Sequence, residues 1–255
     1  MESKYVEKYI NFFTGKAQKA VQYGKFDKAC MAGRISAEIQ YQWNQTYVDE
    51  NLEKCIAIMA EKKKATIKNY QIKDGVILFY DGFGLDTRGL ALIYVKALCN
   101  LGYTVVYVVP ENARNRQPEM AFFYTWPVDI EACVAFEVME GKVKRYQINL
   151  TDHAFWLGRE AFDYCVEFRE YGACVSYLYR KIPKGKICLL HYYPYFDKDI
   201  PFKGLPFEVK NRPILFSGGS LYKTFDDKGT YYEIVEQIMQ RHDDLLFVYE
   251  GNTKI

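Results

Sequence analysis

Thirty-six residues, Gly75 to Pro110, constrain this chain more than any other stretch. Val76 to Tyr80 is a short apolar run between turn residues, the signature of a strand buried on both faces. Asp81-Gly82-Phe83-Gly84 then makes a tight turn, and Leu85 to Leu101 places Leu90, Ile93, Ala97 and Leu101 on one helical face. Gly102 stops that helix as a C′ glycine, and Tyr103 to Val109 reads as a second buried strand. Strand, glycine turn, helix, glycine, strand is the βαβ unit that opens a Rossmann-like parallel sheet.

The turn has a mechanical reading and a ligand reading. Gly82 and Gly84 are expected to reach positive φ and to leave open space above the strand end, with Asp86 or Thr87 capping the next helix. A helix N-terminus beside bare backbone attracts anions and polar ligands; otherwise the turn is simply tight. The spacing is G-x-G-x-x-x-x-G once Gly89 is counted, unlike the dinucleotide fingerprint G-x-G-x-x-G. Val108, Val109 and Pro110 end the second strand where a ribose-binding acid would stand. Both facts argue against a nicotinamide enzyme.

The 255 residues carry a net charge of +2, which gives no case for nucleic acid as the main partner. The surplus is aromatic, 23 Tyr and 17 Phe, which suits sugar or polar surfaces and interior packing equally. Seven scattered cysteines form no CxxC pair, so metal and disulfide roles are not expected and a reducing cytoplasm is the simplest setting. No signal peptide and no apolar run of membrane-spanning length is present.

In chain order, residues 1–68 read as a helical region. Tyr5, Tyr9, Ile10 and Phe13 share a face, a longer helix runs from Phe26 to Trp43, and another from Asp49 to Lys63. Gly24 to Ala29 has the turn pattern of one tetratricopeptide-like hairpin, but a single copy cannot make a solenoid. A helical cap on the next domain is the expected role. Lys62 to Lys64, with Lys68, is a basic cluster, either a solvated face or a peripheral contact with anionic lipid at the inner membrane face.

Residues 72–196 continue the sheet. Met120 to Tyr124 reads as a third strand, and its connection from Val109 is too short for an adjacent parallel neighbour. Either the strand is not such a neighbour, or a helix has been lost. Val128 to Met139 is a helix, Val143 to Leu150 a strand near a sheet edge, Asp163 to Phe168 a buried strand, Tyr171 to Arg180 a helix, and Lys186 to His191 a further strand. Residues 197–212 are Pro- and Lys-rich and read as a linker. From 213 to 255 the rhythm restarts: strand Pro213 to Ser217, turn Gly218-Gly219-Ser220, helix Gly229 to His242, strand Leu245 to Tyr249.

Four features together resemble the two-domain GT-B glycosyltransferases, close to the bacterial family-four-type sugar transferases. They are Phe79 to Gly84 (FYDGFG), Arg145 to Gly158 (RYQINLTDHAFWLG), the linker, and Ile214 to Lys223 (ILFSGGSLYK). The resemblance runs from Gly75 to the end, with the helical front as an addition. It implies an acceptor-side Rossmann-like domain and the first βαβ unit of a donor-binding domain. It also implies transfer of a sugar from a nucleotide-sugar co-substrate, UDP- or GDP-linked, to a cell-surface glycan or polysaccharide precursor. Such enzymes need no metal and no further cofactor.

On that resemblance, Asp81, Gly82, Phe83, Gly84 and Tyr192 flank the sugar or acceptor, and His153 faces the cleft as an acceptor-site base or orienter, with Asp152 beside it as a second catalytic candidate. Gly218, Gly219 and Lys223 lie near the donor phosphates, where backbone amides and a cation meet the leaving diphosphate. Each residue has a structural alternative. His153 pairs with Asp152 at a strand end, Asp81 caps a turn, His191 is packed beside Tyr192 and Tyr193, His242 suits a helix end, and Lys223 is solvated. No serine has a nucleophile-elbow context, so a hydrolase triad is not expected.

The sequence departs from the family where the second domain stops after its second strand, before the acids that hold the donor ribose and sugar. The 111–119 connection also lacks the family's helical insertion. A truncated product with little or no turnover, or one needing a second copy or partner subunit, is therefore expected. The rival is a non-catalytic glycan- or protein-binding module.

Overall fold

A computed structural model describes residues 3–65, 71–84, 90–109, 118–191, 201, 203–225 and 228–251. Asp86, Thr87, Gly89, Lys68 and Tyr192 lie outside the described residues, and so does the side chain of Lys223. Two compact units divide the chain, Met1–Phe196 and Asp197–Ile255.

The first unit opens with three helices, α1 (Ser3–Gln22), α2 (Phe26–Trp43) and α3 (Glu50–Lys64). Local chemistry fixes the last of these. The Asp49 carboxylate accepts the amides of Asn51 at 2.9 Å and Leu52 at 3.2 Å, with Glu50 and Glu53 in the first turn and Lys62, Lys63 and Lys64 in the last. The α2 helix ends on Asn44 in the left-handed region, whose N–H returns to Gln40 O. A buried polar seam joins the three: Thr14 to Ser36 at 2.7 Å and Gln40 to Asp49 at 2.7 Å.

A six-stranded, all-parallel sheet follows, in the order β2-β1-β3-β4-β5-β6. Its strands are β1 (Lys73–Asp81), β2 (Thr104–Val108), β3 (Pro118–Tyr124), β4 (Lys144–Ile148), β5 (Tyr164–Glu167) and β6 (Ile187–Leu189). Between them lie α4 (Leu90–Asn100), α5 (Ile130–Val138) and α6 (Glu170–Leu178). Alternation along β1 divides the core. Leu78 and Tyr80 join the cluster formed with α2, α3 and α5, while Ile77 and Phe79 pack with Leu90, Ala91 and Leu98 of α4. The front helices are thus a cap on one face of the sheet, sharing its core. Gly102 closes α4 with both Schellman bonds, its own N–H to Cys99 O and the Tyr103 N–H to Leu98 O.

The short 111–119 connection is explained by strand order. β3 lies beside β1, on the side away from β2, so it is not the adjacent neighbour that a short link forbids. The strand order therefore reverses between β1 and β3. In open parallel sheets, ligands favour the carboxyl edge at such a switch point.

The aromatic surplus has a packing use on one face of the sheet, around the buried Phe79. Tyr107, Phe79, Phe122, Tyr146 and Tyr164 stand in register on five neighbouring strands. Consecutive rings stack at 5.9, 6.3, 4.9 and 5.2 Å between centroids. Each such pair adds roughly 0.5–1.5 kcal/mol beyond its buried area.

One expectation fails on β4. Its alternating polar residues suggest an edge, yet it is interior, between β3 and β5. Arg145 is 2 % exposed and spends its charge inside, with Nη2 on Asp163 Oδ1 at 3.1 Å and Nη1 on Glu137 at 3.5 Å and on Phe136 O. Polar alternation here encodes a buried ion network, not a solvated face.

The second unit is a parallel pair, β7 (Ile214–Gly218) and β8 (Leu246–Glu250), joined through α7 (Thr230–Arg241). His242 is the C-cap of α7, as the sequence suggests.

Candidate functional site

The carboxyl edge of the six-stranded sheet carries both clusters picked out by sequence, and it treats them differently. At the end of β1, Asp81 is fully buried. One carboxylate oxygen accepts the Phe83 N–H at 2.9 Å, and the other accepts the Tyr107 hydroxyl. This is a turn cap with both oxygens engaged. Gly82 corrects a second expectation. It does not take positive φ, and the space above it is filled: an added Cβ would lie 2.8 Å from Trp126 N and 3.0 Å from Thr125 Cα. Gly82 is a glycine because the exit of β3 crosses it, its N–H bonding Tyr124 O at 2.7 Å. Gly84 does sit at φ +89°, and among the described residues nothing lies within 4 Å of an added Cβ. Phe83 packs on Tyr124 and Trp126, at 4.8 and 5.2 Å between centroids.

After β4 the chain runs through Asn149 to Gly158, and every carbonyl from Thr151 to Ala154 is held. The buried Arg180 Nη2 donates to Thr151 O at 3.4 Å, Asp152 O at 3.0 Å and Ala154 O at 2.6 Å. Asn44, at the end of α2, donates to His153 O at 3.0 Å and accepts the Phe155 N–H at 3.2 Å. Arg180 is itself fully buried between the rings of Tyr47 and Trp156, each 5.0 Å from the guanidinium carbon. Burial pulls its pKa below the ordinary value, with Glu167 opposing.

The loop's side chains form a charge relay at the surface. Asp152 is 4 % exposed and is gripped by Arg169, with Nε at 2.5 Å and Nη2 at 2.7 Å. Burial raises its pKa, but the Arg169 hydrogen bond and charge outweigh that and hold it below the usual range. The remaining reach of Asp152 goes to His153, whose Nδ1 lies 3.3 Å from Oδ1 while 60 % of the side chain faces solvent. With Nδ1 committed to a carboxylate, Nε2 is the ring nitrogen left for an outside group.

Several contributors were not picked out from sequence. Glu167, the last residue of β5, is wholly buried and accepts from Asn149 Nδ2 at 2.8 Å and from the Ser176 hydroxyl. Burial raises its pKa, against the hydrogen bonds from Ser176 and Asn149. Gly172 has no room for a side chain: a Cβ would fall 2.5 Å from Glu167 Oε2 and 2.8 Å from Asp152 Cβ. Glu167, Arg169 and Gly172 are thus one packed support for Asp152. An acid closing an apolar strand at the carboxyl edge was the available signal. Asn44 and Arg180, remote in sequence, gave none.

The other selected residues stand apart. His191 is exposed at the end of β6, so it is not the packed residue expected. In the second unit Gly219 has φ +153°, its N–H bonds Glu250 O at 2.9 Å, and its carbonyl accepts the Tyr249 hydroxyl at 2.9 Å. A groove of about 380 Å³ lined by Cys30, Met31 and Met59, and a hollow of about 290 Å³ near Glu119 and Asp163, both avoid Asp81 and His153. Among the described residues, no group of three or more His, Cys, Asp or Glu side chains has a metal-binding arrangement.

The architecture defines an α/β protein: N-terminal helices, a six-stranded Rossmann-like parallel sheet and a small second parallel sheet. No protein-family model matches the chain, and no curated protein or solved structure is significantly similar to it.

Proposed function

We propose that the chain belongs to a GT-B-type glycosyltransferase and that its first unit presents the acceptor-side base. The supporting observation is the Arg169–Asp152–His153 relay, a solvent-facing imidazole anchored through Nδ1 to a carboxylate held ionised, on a loop whose carbonyls from Thr151 to Ala154 are all bonded. In the proposed step, His153 Nε2 takes the proton of an acceptor hydroxyl. The freed oxygen bonds the anomeric carbon of a UDP- or GDP-sugar as the bond from that carbon to the phosphate oxygen breaks. The electron pair leaves with the diphosphate, and the proton passes from His153 to solvent. Positioned bases of this kind contribute about 10²–10⁴-fold. The reading assigns the donor phosphates to Gly218, Gly219 and Lys223 of the second unit.

Calorimetric titration with UDP, GDP and their sugar conjugates, paired with a nucleotide-release assay, tests this reading. Saturable binding that Lys223→Ala removes, with release that His153→Ala abolishes, supports it. A folded chain that binds none of these ligands overturns it. A second reading, a non-catalytic glycan-binding module, draws on the exposed rings of Tyr171 and Tyr179 and on Arg169 placed 5.3 Å from the Tyr171 ring. Glycan binding without turnover would favour it.

A further inference from the structure

The Lys62–Lys64 cluster is a weak basic surface in the folded chain. Lys64 Nζ pairs with Glu140 at 2.6 Å, and Lys62 lies over the Phe26 ring. A denser exposed set of lysines lies on α1. That helix holds four lysines against one glutamate, more surplus charge than the +2 of the whole chain. Its inner face is Val6, Ala17 and Val21, buried against the other helices. Placed at 100° per residue, Lys8, Lys19, Phe12, Tyr5, Lys16 and Tyr9 fall in that order within one arc on the outer side, and Glu7 falls well outside it.

All six side chains are exposed, the aromatic ones heavily: Tyr5 58 %, Tyr9 58 % and Phe12 53 %. This corrects the shared face expected of Tyr5, Tyr9, Ile10 and Phe13, because Ile10 and Phe13 turn inward while both tyrosines turn out. Phe12 meets the Phe13 ring edge-on at 5.2 Å between centroids, and Lys16 Nζ lies 4.5 Å from its centroid. Aromatic rings interleaved with lysines match the headgroup boundary of an anionic bilayer. There the rings enter the interface and the ammonium groups meet lipid phosphates or carboxylates. No helix among the described residues is long and apolar enough to cross a membrane, so the contact is a surface one.

We propose that the outer face of α1 is a docking surface for an anionic lipid bilayer. This stands independently of the transferase reading. The test is co-sedimentation of the full chain with vesicles of phosphatidylcholine alone, and with about a third phosphatidylserine added. The chain should partition onto the anionic vesicles, and added salt should release it. Lys8→Glu with Lys16→Glu and Lys19→Glu should lower partitioning by at least about a hundredfold, at roughly fivefold for each lysine removed. Tyr5→Ser with Tyr9→Ser and Phe12→Ser should weaken it at unchanged charge. Circular dichroism should show both variants folded, since only exposed atoms change.

Equal binding to neutral vesicles, no binding, or binding that both variants retain overturns the proposal. So does a lipid-independent dimer, seen by light scattering, that the aromatic variant dissolves, because the face then belongs to a second copy of the chain.

Discussion

Two turns leave the same edge of one sheet, and they resolve in opposite ways. In sequence the β1 turn offers an aspartate between a strand and two glycines, candidates to flank a sugar or acceptor. In the fold its carboxylate is consumed by Tyr107 and the Phe83 amide, and its first glycine makes room for Trp126. The β4 turn carries the Thr-Asp-His of the catalytic candidates, and it leaves an imidazole in solvent with its inner nitrogen anchored. The difference lies in what the neighbouring strands offer. β2 supplies a tyrosine hydroxyl that closes off Asp81, whereas β5 and α6 supply an arginine that fixes Asp152 and leaves His153 open. A buried acid with every oxygen satisfied is architecture. An anchored group with one free atom is available for chemistry.

Substitutions at the two turns should separate them. The largest effect is expected at His153. His153→Ala should cut nucleotide-sugar turnover by about 10²–10⁴-fold with an unchanged denaturation midpoint, while Asp81→Asn leaves turnover within about threefold in the same assay. Next comes the support beneath the reactive turn. Arg180→Met leaves the buried Asp152 and Ala154 carbonyls without the Arg180 donor, and should cost about 2–6 kcal/mol in urea unfolding, at roughly 1–3 kcal/mol for each. Stability equal to wild type would mean the loop holds itself.

Glu53 gives a pH test of the contact between the helical cap and the far end of the β4 loop. Its buried carboxyl accepts the Gly158 N–H at 2.9 Å, and burial raises its pKa to about 7, against the Gly158 and Arg159 amides. The folded state therefore binds this proton more tightly than the unfolded chain does. The contribution is present in full below about pH 4.5 and is lost as pH rises to about 7, by up to roughly 3 kcal/mol. Glu53→Gln should flatten that slope in unfolding measured from pH 5 to 8. The smallest effect falls on the closed turn: Asp81→Asn should cost about 1–3 kcal/mol by weakening the bonds to Tyr107 and Phe83.

Much of the architecture is legible in sequence, because it is local. The β1–α4–β2 unit follows from apolar runs and Gly102, and α2 follows from its periodicity. What sequence hides is long-range. Arg145 and Gln147 read as an edge pattern because the acids that pair with Arg145 come from α5 and from the start of β5. Gly82 reads as permissive because the backbone crossing it belongs to Thr125 and Trp126. Asp152 and His153 were visible as a pair, but the Arg169 grip and the Asn44 and Arg180 struts come from other elements. Periodicity carries no record of them.

The most direct measurement is the tautomer of the neutral His153 ring, by long-range proton–nitrogen correlation in the 15N-labelled chain. His153→Ala assigns its signals among the three histidines. The relay predicts a proton on Nδ1, shared with Asp152, and a bare Nε2 ready to accept a proton. A proton on Nε2 instead would mean that Asp152 does not set the ring, and the β4 turn would be as structural as the β1 turn.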